Sequence, residues 1–362
     1  MSRLNVSLAS IDKNQLSELQ ENWLKLESHS AATFFTSWHW ISNWLAFVEY
    51  TPELLTISDN NDIVGLGFIC NSIGKKYGVP SNQIWLNRTG RGAKDQIWME
   101  YNDLLCEKGR EWAIRAALVE FFEHSLLKYD ELMIGVSNNE ITEIPRSKNL
   151  MQHTCWRTVS YATTLQPAFE DFTSYVKTLS RNSRSQITRT QKLYSERGEI
   201  NLKRAQNVEE ALNYLDAAGE LHKVRWGDRN SGFNNPEFLQ FHRTLIKKNY
   251  DSGAIDMLVL EVANKPICYL YNFIYRECVY FYLSGIRYEQ DNRIKPGLLV
   301  HSLAIAHYAK RGFKVYDFMG GEGRYKRSLA NITGKMVISS IRRKSAKFLL
   351  SHLMHNLKAR FS

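Results

Sequence analysis

Short apolar runs bounded by polar turn residues recur along this chain, and their order repeats. Leu54-Leu55-Thr56-Ile57 reads as a strand, Asp59-Asn60-Asn61-Asp62 as a turn, and Ile63 to Cys70 as the returning strand of a hairpin. The same signals return at Asp256 to Val262, Ala263-Asn264-Lys265-Pro266, and Ile267 to Tyr275. Superposing Ile63 on Ile267 aligns the two turns without a gap. Helical periodicity marks Asn14 to Ser28 and Glu111 to Leu127, and Glu131 to Gly135 closes the first half as a short strand. In the second half Val279 to Ser284 is a strand. Gly297 to Lys310 is a helix that begins through Pro296 and stops at Arg311-Gly312. Val315 to Met319 and Met336 to Ile341 are further strands. Hairpin, strand, helix and strand thus occur twice, which predicts an internal duplication and an α/β (α+β) fold. The expected division is residues 1–150, 165–340 and a basic helical tail, 341–362. The polar, irregular residues from about 136 to 160, with Pro145, form the connection.

A chain of 362 residues is long enough for roughly two domains. With 44% hydrophobic and 23% charged residues it has a globular composition, and no apolar run approaches the ~20 residues that span a bilayer. Met1 to Val6 lacks the apolar core of a signal peptide, so the expected location is the cytoplasm. The five cysteines are odd in number, scattered and free of CxxC, which predicts free thiols and no metal site. The net charge of +10 suits an anionic partner: a phosphorylated small molecule, a nucleic acid or an anionic membrane. The tail carries six basic and no acidic residues, with Phe348, Leu349, Leu350, Leu353 and Leu357 at near-helical spacing. It either lies on a membrane surface or docks on its own domain. The 18 tyrosines and 9 tryptophans fit either polar-lined clefts or a large aromatic core.

Candidate chemistry gathers in the second half. Gly320-Gly321-Glu322-Gly323-Arg324-Tyr325-Lys326-Arg327 puts a glycine loop, a carboxylate, a phenol and cations beyond a strand end, a common place for ligands in α/β proteins. Strand alternation places Tyr280, Tyr282 and Ser284 on one face, with Tyr269, Tyr271, Phe273 and Tyr275 on a neighbouring strand. That face is either a tyrosine-lined groove or the seat of a helix. Pro296-Gly297-Leu298-Leu299 starts a helix with free N–H groups suited to phosphate. His222, Arg225 and Trp226 share a helix face at i, i+3, i+4 and offer a base, an anion ligand and a stacking plane. Ser180 to Lys192 is a basic, helical segment.

These motifs resemble the GNAT-like acetyltransferases associated with cellulose and exopolysaccharide biosynthesis, the CelD/BcsL-like family. The matching stretches are Leu179 to Arg184, Leu221 to Trp226, Tyr282 to Gly285, Pro296 to Leu299 and Tyr316 to Arg327, in the family's order over about residues 165–340. Its wider relatives, the Fem-type aminoacyl transferases, look like two GNAT folds in tandem and carry an aromatic-Lys motif near their C-terminus. The resemblance implies tandem GNAT-like domains, each a mixed, largely antiparallel sheet flanked by helices, with the first half supportive. It implies acyl transfer to an amine, with acetyl-CoA or another acyl-CoA as cosubstrate. On that basis His222, Asp317 or Glu322 is the base, and Lys326, Tyr325 or a strand N–H stabilises the oxyanion. Arg184, Arg225, Trp226, Tyr282 and Tyr325 bind substrate, a phosphorylated sugar being the simplest. Ser284, Gly297 and Leu298 meet the cofactor. The chain departs from ordinary GNAT enzymes in having Asn292-Arg293-Ile294-Lys295-Pro296-Gly297 where their glycine-rich pyrophosphate loop would be. That departure keeps aminoacyl-tRNA open as the donor. A third reading is a non-catalytic basic protein that holds a sugar phosphate or sits on the inner face of a membrane.

Overall fold

In the computed structural model, which describes residues 4–11, 15–48, 52–76, 79–125, 129–138, 148–344 and 348, both turns close hairpins. Two units make up the chain: Met1–Arg157 with Met336–Ser362, and Thr158–Lys335. The first holds β1 (Asn5–Ser10), α1 (Leu16–Ser28), α2 (Trp38–Phe47), β2 (Glu53–Asp59), β3 (Asp62–Lys76), β4 (Val79–Leu86), β5 (Leu105–Cys106), α3 (Glu111–His124) and β6 (Glu131–Asn138). A long strand, β7 (Leu150–Thr164), leads into the second unit. There follow α4 (Phe172–Thr178), α5 (Arg181–Ser195), β8 (Ile200–Arg204), α6 (Val208–Asn230), α7 (Pro236–Asn249), β9 (Ile255–Val262), β10 (Lys265–Tyr275) and β11 (Cys278–Ile286). The chain then forms α8 (Pro296–Lys310), β12 (Val315–Gly320), α9 (Arg324–Leu329) and β13 (Ile332–Arg343).

Each unit runs strand, two helices, three-stranded meander, helix, parallel strand. The sheet orders correspond: β1-β2-β3-β4-β6-β13 in the first unit and β8-β9-β10-β11-β12-β7 in the second. The last strand of each sheet is exchanged. β7 follows β6 in sequence, yet its Ser160–Thr164 stretch pairs β12. β13 follows β12, yet Met336 to Arg342 pairs β6. The expected boundary near residue 340 therefore falls inside a strand, and the residues from Met336 onward belong with the first unit.

The hairpins also correct the expected register. Asn60 has φ 54, and Ala263 and Asn264 have φ 51 and 60, so both two-residue turns use the left-handed region that right-twisted strands require. A bulge follows each turn: Ser58 pairs Ile63 and Ile57 pairs Gly65, while Glu261 pairs Pro266 and Leu260 pairs Cys268. Val64 is thus the counterpart of Ile267, one residue away from the alignment on Ile63. Since side chains alternate, a one-residue slip assigns every residue to the wrong face.

Packing explains the rest. In the first unit α3 buries Ile114, Leu118, Val119 and Phe122 against Leu55, Ile57, Ile84, Leu132 and Ile134. The aromatic stretch near residue 38 is core: Phe34, Phe35, Trp40 and Trp44 are buried, and Trp23 stacks on Phe68 with centroids 5.3 Å apart. In the second unit α8 buries Leu298, Leu299, Ile305, Ala306 and Ala309. It ends at Gly312 (φ 83), whose N–H bonds Ala309 O, as the glycine stop predicts.

Several basic residues are structural. Arg342, counted with the tail, is buried and donates from Nε to Glu131 at 2.9 Å, where Ser340 and Ser81 also donate. Arg343 caps α3 through Phe122 O and Ser125 O. Phe348 is buried, with the Arg342 guanidinium 5.1 Å from its ring centre. Leu349, Leu350, Leu353 and Leu357 lie outside the described residues, as does Pro145. The expected irregular connection shrinks, because β6 and β7 occupy much of it. Among the described residues no helix is long and apolar enough to cross a membrane, and no cluster of His, Cys, Asp or Glu could hold a metal ion.

Candidate active site

The site begins where two parallel strands part. β11 and β12 pair only at Cys278↔Val315, Val279↔Tyr316 and Tyr280↔Asp317. Beyond that point β11 runs on to Ile286 and β12 to Gly320 without pairing each other. A bulge on each outer side accompanies the divergence. One has its extra residue at Tyr282 of β11, opposite Tyr271 and Asn272 of β10, and the other at Phe318 of β12, opposite Tyr161 and Ala162 of β7. Bulges bend strands and sharpen twist. Met319 is held at φ 61, and its N–H bonds Asp317 Oδ1 at 2.7 Å.

His301 of α8 fills the fork. Its ring lies 4.4 Å from Phe281 and 5.4 Å from Phe318, the first residues past the shared ladder, and stacks on Tyr325 at 5.1 Å and 13°. Nδ1 is 3.0 Å from the Tyr316 hydroxyl, and Nε2 has no hydrogen-bond partner. Burial, then the nearby Lys326 charge, lowers its pKa to about 3, so the ring is neutral. The glycine loop turns at Gly321 (φ 114) into α9, and Lys326 Nζ reaches back to donate to Gly320 O at 2.5 Å. Burial, then Tyr288, pushes the Tyr325 hydroxyl up beyond the ordinary phenol range.

Tyr288, near enough to Tyr325 to raise its pKa, also meets α6. The Arg225 guanidinium sits 4.6 Å from the Tyr288 ring centre and 5.8 Å from that of Trp226, which is 54% exposed. His222 packs 6.1 Å from Trp226 and 5.5 Å from Phe233, with Nδ1 2.9 Å from Ser231 Oγ. Burial lowers its pKa to about 4. Gly285 seats α6 on β11: a Cβ there would come within 2.4 Å of Ala218 Cα, one turn before His222. The helix breaks at Gly227 (φ 69, ψ 176), just past Trp226. His222, Arg225, Trp226, Tyr325 and Lys326 therefore join one neighbourhood with Tyr288 and His301. It offers a neutral imidazole pair, two cations and aromatic planes.

The other expected residues are spread more widely. Arg184 is exposed on α5 and donates to Lys177 O at 3.0 Å; it lines a basic surface with Arg181, Arg189 and Lys192, not the fork. Asp317 is buried beside Cys278 and Tyr280, and its charge helps raise the pKa of both. Glu322 is exposed on the loop. Tyr282 bonds His242 Nε2 at 2.9 Å and packs with Tyr271 and Phe273, so the expected tyrosine groove is the seat of α7. Ser284 is half-buried on the stretch of β11 that pairs β10 but no longer β12. Leu298 belongs to the core, and Gly297 lies against Ile286, its Cβ position 3.3 Å from Cδ1. Sequence reading missed His301 and Tyr288. The signal for His301 is an imidazole in the apolar second turn of a helix, and Tyr288 carries none beyond lying past the end of β11.

The first unit has the same fork with a different filling. β4 and β6 also pair at only three positions, Gln83↔Glu131, Ile84↔Leu132 and Trp85↔Met133. There Asn102, fully buried, closes the gap. Its Nδ2 donates to Leu86 O at 2.7 Å and Gly135 O at 3.1 Å, its N–H bonds Val136 O at 2.8 Å, and its carbonyl accepts from Ser137.

Comparison with known proteins agrees with this geometry. Residues 181–327 match the family model described as "Acetyltransferase (GNAT) domain", so the second unit carries a GNAT-type acyltransferase domain. No curated protein is significantly similar in sequence. Among solved structures, FemX matches at TM-score 0.56 and 9% identity, with 92% of this chain and 97% of that chain covered. A conserved protein of unknown function from Bacteroides thetaiotaomicron VPI-5482 matches at TM-score 0.52 and 12% identity, covering 94% and 100%. A tandem GNAT protein from the clavulanic acid biosynthesis pathway also matches, at TM-score 0.45 and 9% identity over 94% and 98%. The fold is thus a tandem of GNAT-like domains, each a mixed sheet flanked by helices, and the domain of residues 181–327 makes the protein an acyltransferase.

Proposed function

We propose that the second unit transfers an acyl group from acyl-CoA, most simply acetyl-CoA, to the amine of an amino sugar or sugar nucleotide in envelope or exopolysaccharide biosynthesis. The observation that carries this reading is the fork between β11 and β12. Two diverging strand edges present backbone donors and acceptors that a ligand arm bearing amides, such as that of CoA, could pair with as a strand would. The first turn of α8, with Gly297, begins against Ile286 at the end of β11, where N–H groups could meet the donor's phosphates. Lys326 and Tyr325 stand over the fork as donors for developing negative charge, and Arg225 with Trp226 would hold an anionic, ring-bearing acceptor. The CelD/BcsL resemblance supplies the sugar chemistry and is analogy. In this reading the first unit is supportive, because Asn102 occupies its fork. A cytoplasmic location, with peripheral membrane contact through the basic tail, is part of the same reading.

A second donor, aminoacyl-tRNA in the Fem manner, is favoured by one feature. Arg181, Arg184, Arg189 and Lys192 line the exposed face of α5, a helix with no acidic residue, and the chain carries +10 overall. The test is release of CoA thiol when purified protein is mixed with acetyl-CoA and a panel of amino sugars and nucleotide sugars. Release dependent on one acceptor supports the first reading. No release, together with copurifying tRNA or transfer from aminoacyl-tRNA, replaces it with the second.

A further inference from the structure

The buried imidazole in the fork has a polar atom with nothing to bond. His301 is fully buried, and Nε2 has no partner among the described residues. An unsatisfied buried polar group costs about 1–3 kcal/mol, so its retention calls for a reason. Tyr316 fixes which hydrogen is at stake. Its hydroxyl is fully buried and bonds Nδ1 of His301 at 3.0 Å. If Nδ1 carried the proton, both the tyrosine hydrogen and Nε2 would be orphaned. If the hydroxyl donates to Nδ1, only Nε2–H is left over. The second arrangement leaves fewer groups unpaired and sets a neutral Nε2–H tautomer.

We propose that His301 Nε2–H is a preorganised donor for the carbonyl oxygen of the acyl group, an inference that rests on the acyltransferase reading. The ring sits between Phe281 and Phe318, where the strands part, and under Tyr325. In such apolar surroundings a neutral N–H donor gains strength that it would lack in water. During transfer the acceptor nitrogen attacks the acyl carbon and forms the C–N bond. Negative charge then gathers on the carbonyl oxygen, which accepts from Nε2–H. Collapse breaks the C–S bond, and the thiolate takes up a proton while the nitrogen gives one to a base. The products are the amide and CoA thiol. His301 donates a hydrogen bond throughout and does not change protonation state. The nearby Lys326 charge keeps the imidazolium unfavourable, so the ring remains a neutral donor.

The first test is imidazole nitrogen NMR of the ¹⁵N-histidine-labelled full chain. The Nε2–H tautomer is expected, and an Nδ1–H tautomer or an imidazolium at neutral pH overturns the proposal. Acetyl-CoA should then move the Nε2–H proton downfield, whereas CoA, which lacks the carbonyl, should not. If acetyl-CoA raises the melting temperature but leaves His301 unmoved, the donor reading survives and the His301 proposal falls. If acetyl-CoA does not bind at all, the donor reading falls. The double variant His301→Phe, Tyr316→Phe then decides on His301 alone, since removing both partners of a buried pair is close to neutral when the pair serves no structural purpose. An unchanged or raised melting temperature supports a group kept for a ligand. A fall of more than about 5 °C, about 1–2.5 kcal/mol at this size, makes it structural and overturns the proposal. In the enzyme that turns over acetyl-CoA, the double variant should lose about 10²–10³ in kcat with little change in KM.

Discussion

Gly285→Ala tests whether the site is aimed by helix seating. In the native packing a Cβ on Gly285 would lie 2.4 Å from Ala218 Cα, 2.5 Å from its carbonyl oxygen and 2.8 Å from its carbonyl carbon. Carbon contacts settle at about 3.5–4.0 Å, so α6 must retreat from β11 by about 1 Å. Overpacking of this kind costs about 1–3 kcal/mol. At roughly 2–4 °C per kcal/mol for a unit of this size, the melting temperature should fall by about 2–12 °C. The same shift displaces His222 and Arg225 from the fork, and a 1 Å misplacement can cost about 10²-fold in rate. Thermal unfolding and acyl-transfer kinetics are measured on Gly285→Ala beside Gly92→Ala, whose Cβ would meet nothing within 4 Å. Ala218→Gly should not rescue, because the collision is with backbone. A Gly285→Ala protein that melts and turns over like Gly92→Ala would refute the argument that this contact positions α6.

Other outcomes follow from the same geometry. Lys326→Ala should lower kcat by about 10²–10³ with an unchanged melting temperature, and Lys326→Arg should recover only part of it, because the guanidinium is planar and longer; if the amine serves only to hold Gly320 O, stability falls instead and kcat stays near normal. Arg225→Ala should weaken acceptor binding by about 1.5–3 kcal/mol in calorimetric titration, while Arg184→Ala, away from the fork, should leave it unchanged. Asn102→Ala should destabilise by about 1–3 kcal/mol in denaturant unfolding, since it removes the buried bonds to Leu86 O and Gly135 O and the acceptor of the Asn87 amide at 3.1 Å, although Arg88 still donates to Gly135 O. Burial lowers His242 from 6.5 to about 3. The unfolded chain therefore binds that proton first, and stability, complete above pH 6.5, should drop as pH falls from there toward 3; His242→Gln should flatten this acid limb, and an unaltered slope would exclude His242 from it.

How much could be read from sequence depended on the range of the interaction involved. Two-residue turns between alternating runs are local, so both hairpins were legible, as was the glycine stop of α8. The bulges after the turns have no sequence signature, and the alignment on Ile63 slipped by one residue as a result. Met336 to Ile341 was legible as a strand, but its partner β6 lies in the other half of the chain, and the buried Arg342–Glu131 pair that fixes it cannot be seen locally. Spacing put His222, Arg225 and Trp226 on one helix face, and the structure keeps them together. Alternation put Tyr282 on a face without saying what covers that face, and α7 does. His301 was hidden because an apolar helix conceals the use of a buried polar residue until its neighbours are known.

The two forks make the strongest case that the acyltransferase chemistry belongs to the second unit. Both are built by the same backbone: a parallel ladder of three pairs followed by divergence. A gap between strands leaves backbone groups unpaired, and proteins normally close such edges. The first unit does so with Asn102, which bonds both parting strands and has its own oxygen satisfied by Asn87. In the second unit the corresponding loop, residues 287–295, bonds β10 through Arg287 N–H to Ile267 O and α5 through Lys295 N–H to Thr190 Oγ1. What stands in its fork is an imidazole with a free polar atom, beneath a tyrosine and beside a lysine. The divergence is therefore a property of the fold, present with or without a site. Filling it with a ring whose Nε2 is left unpaired, at a cost in stability that the sister unit shows to be avoidable, is what the proposed ligand site accounts for.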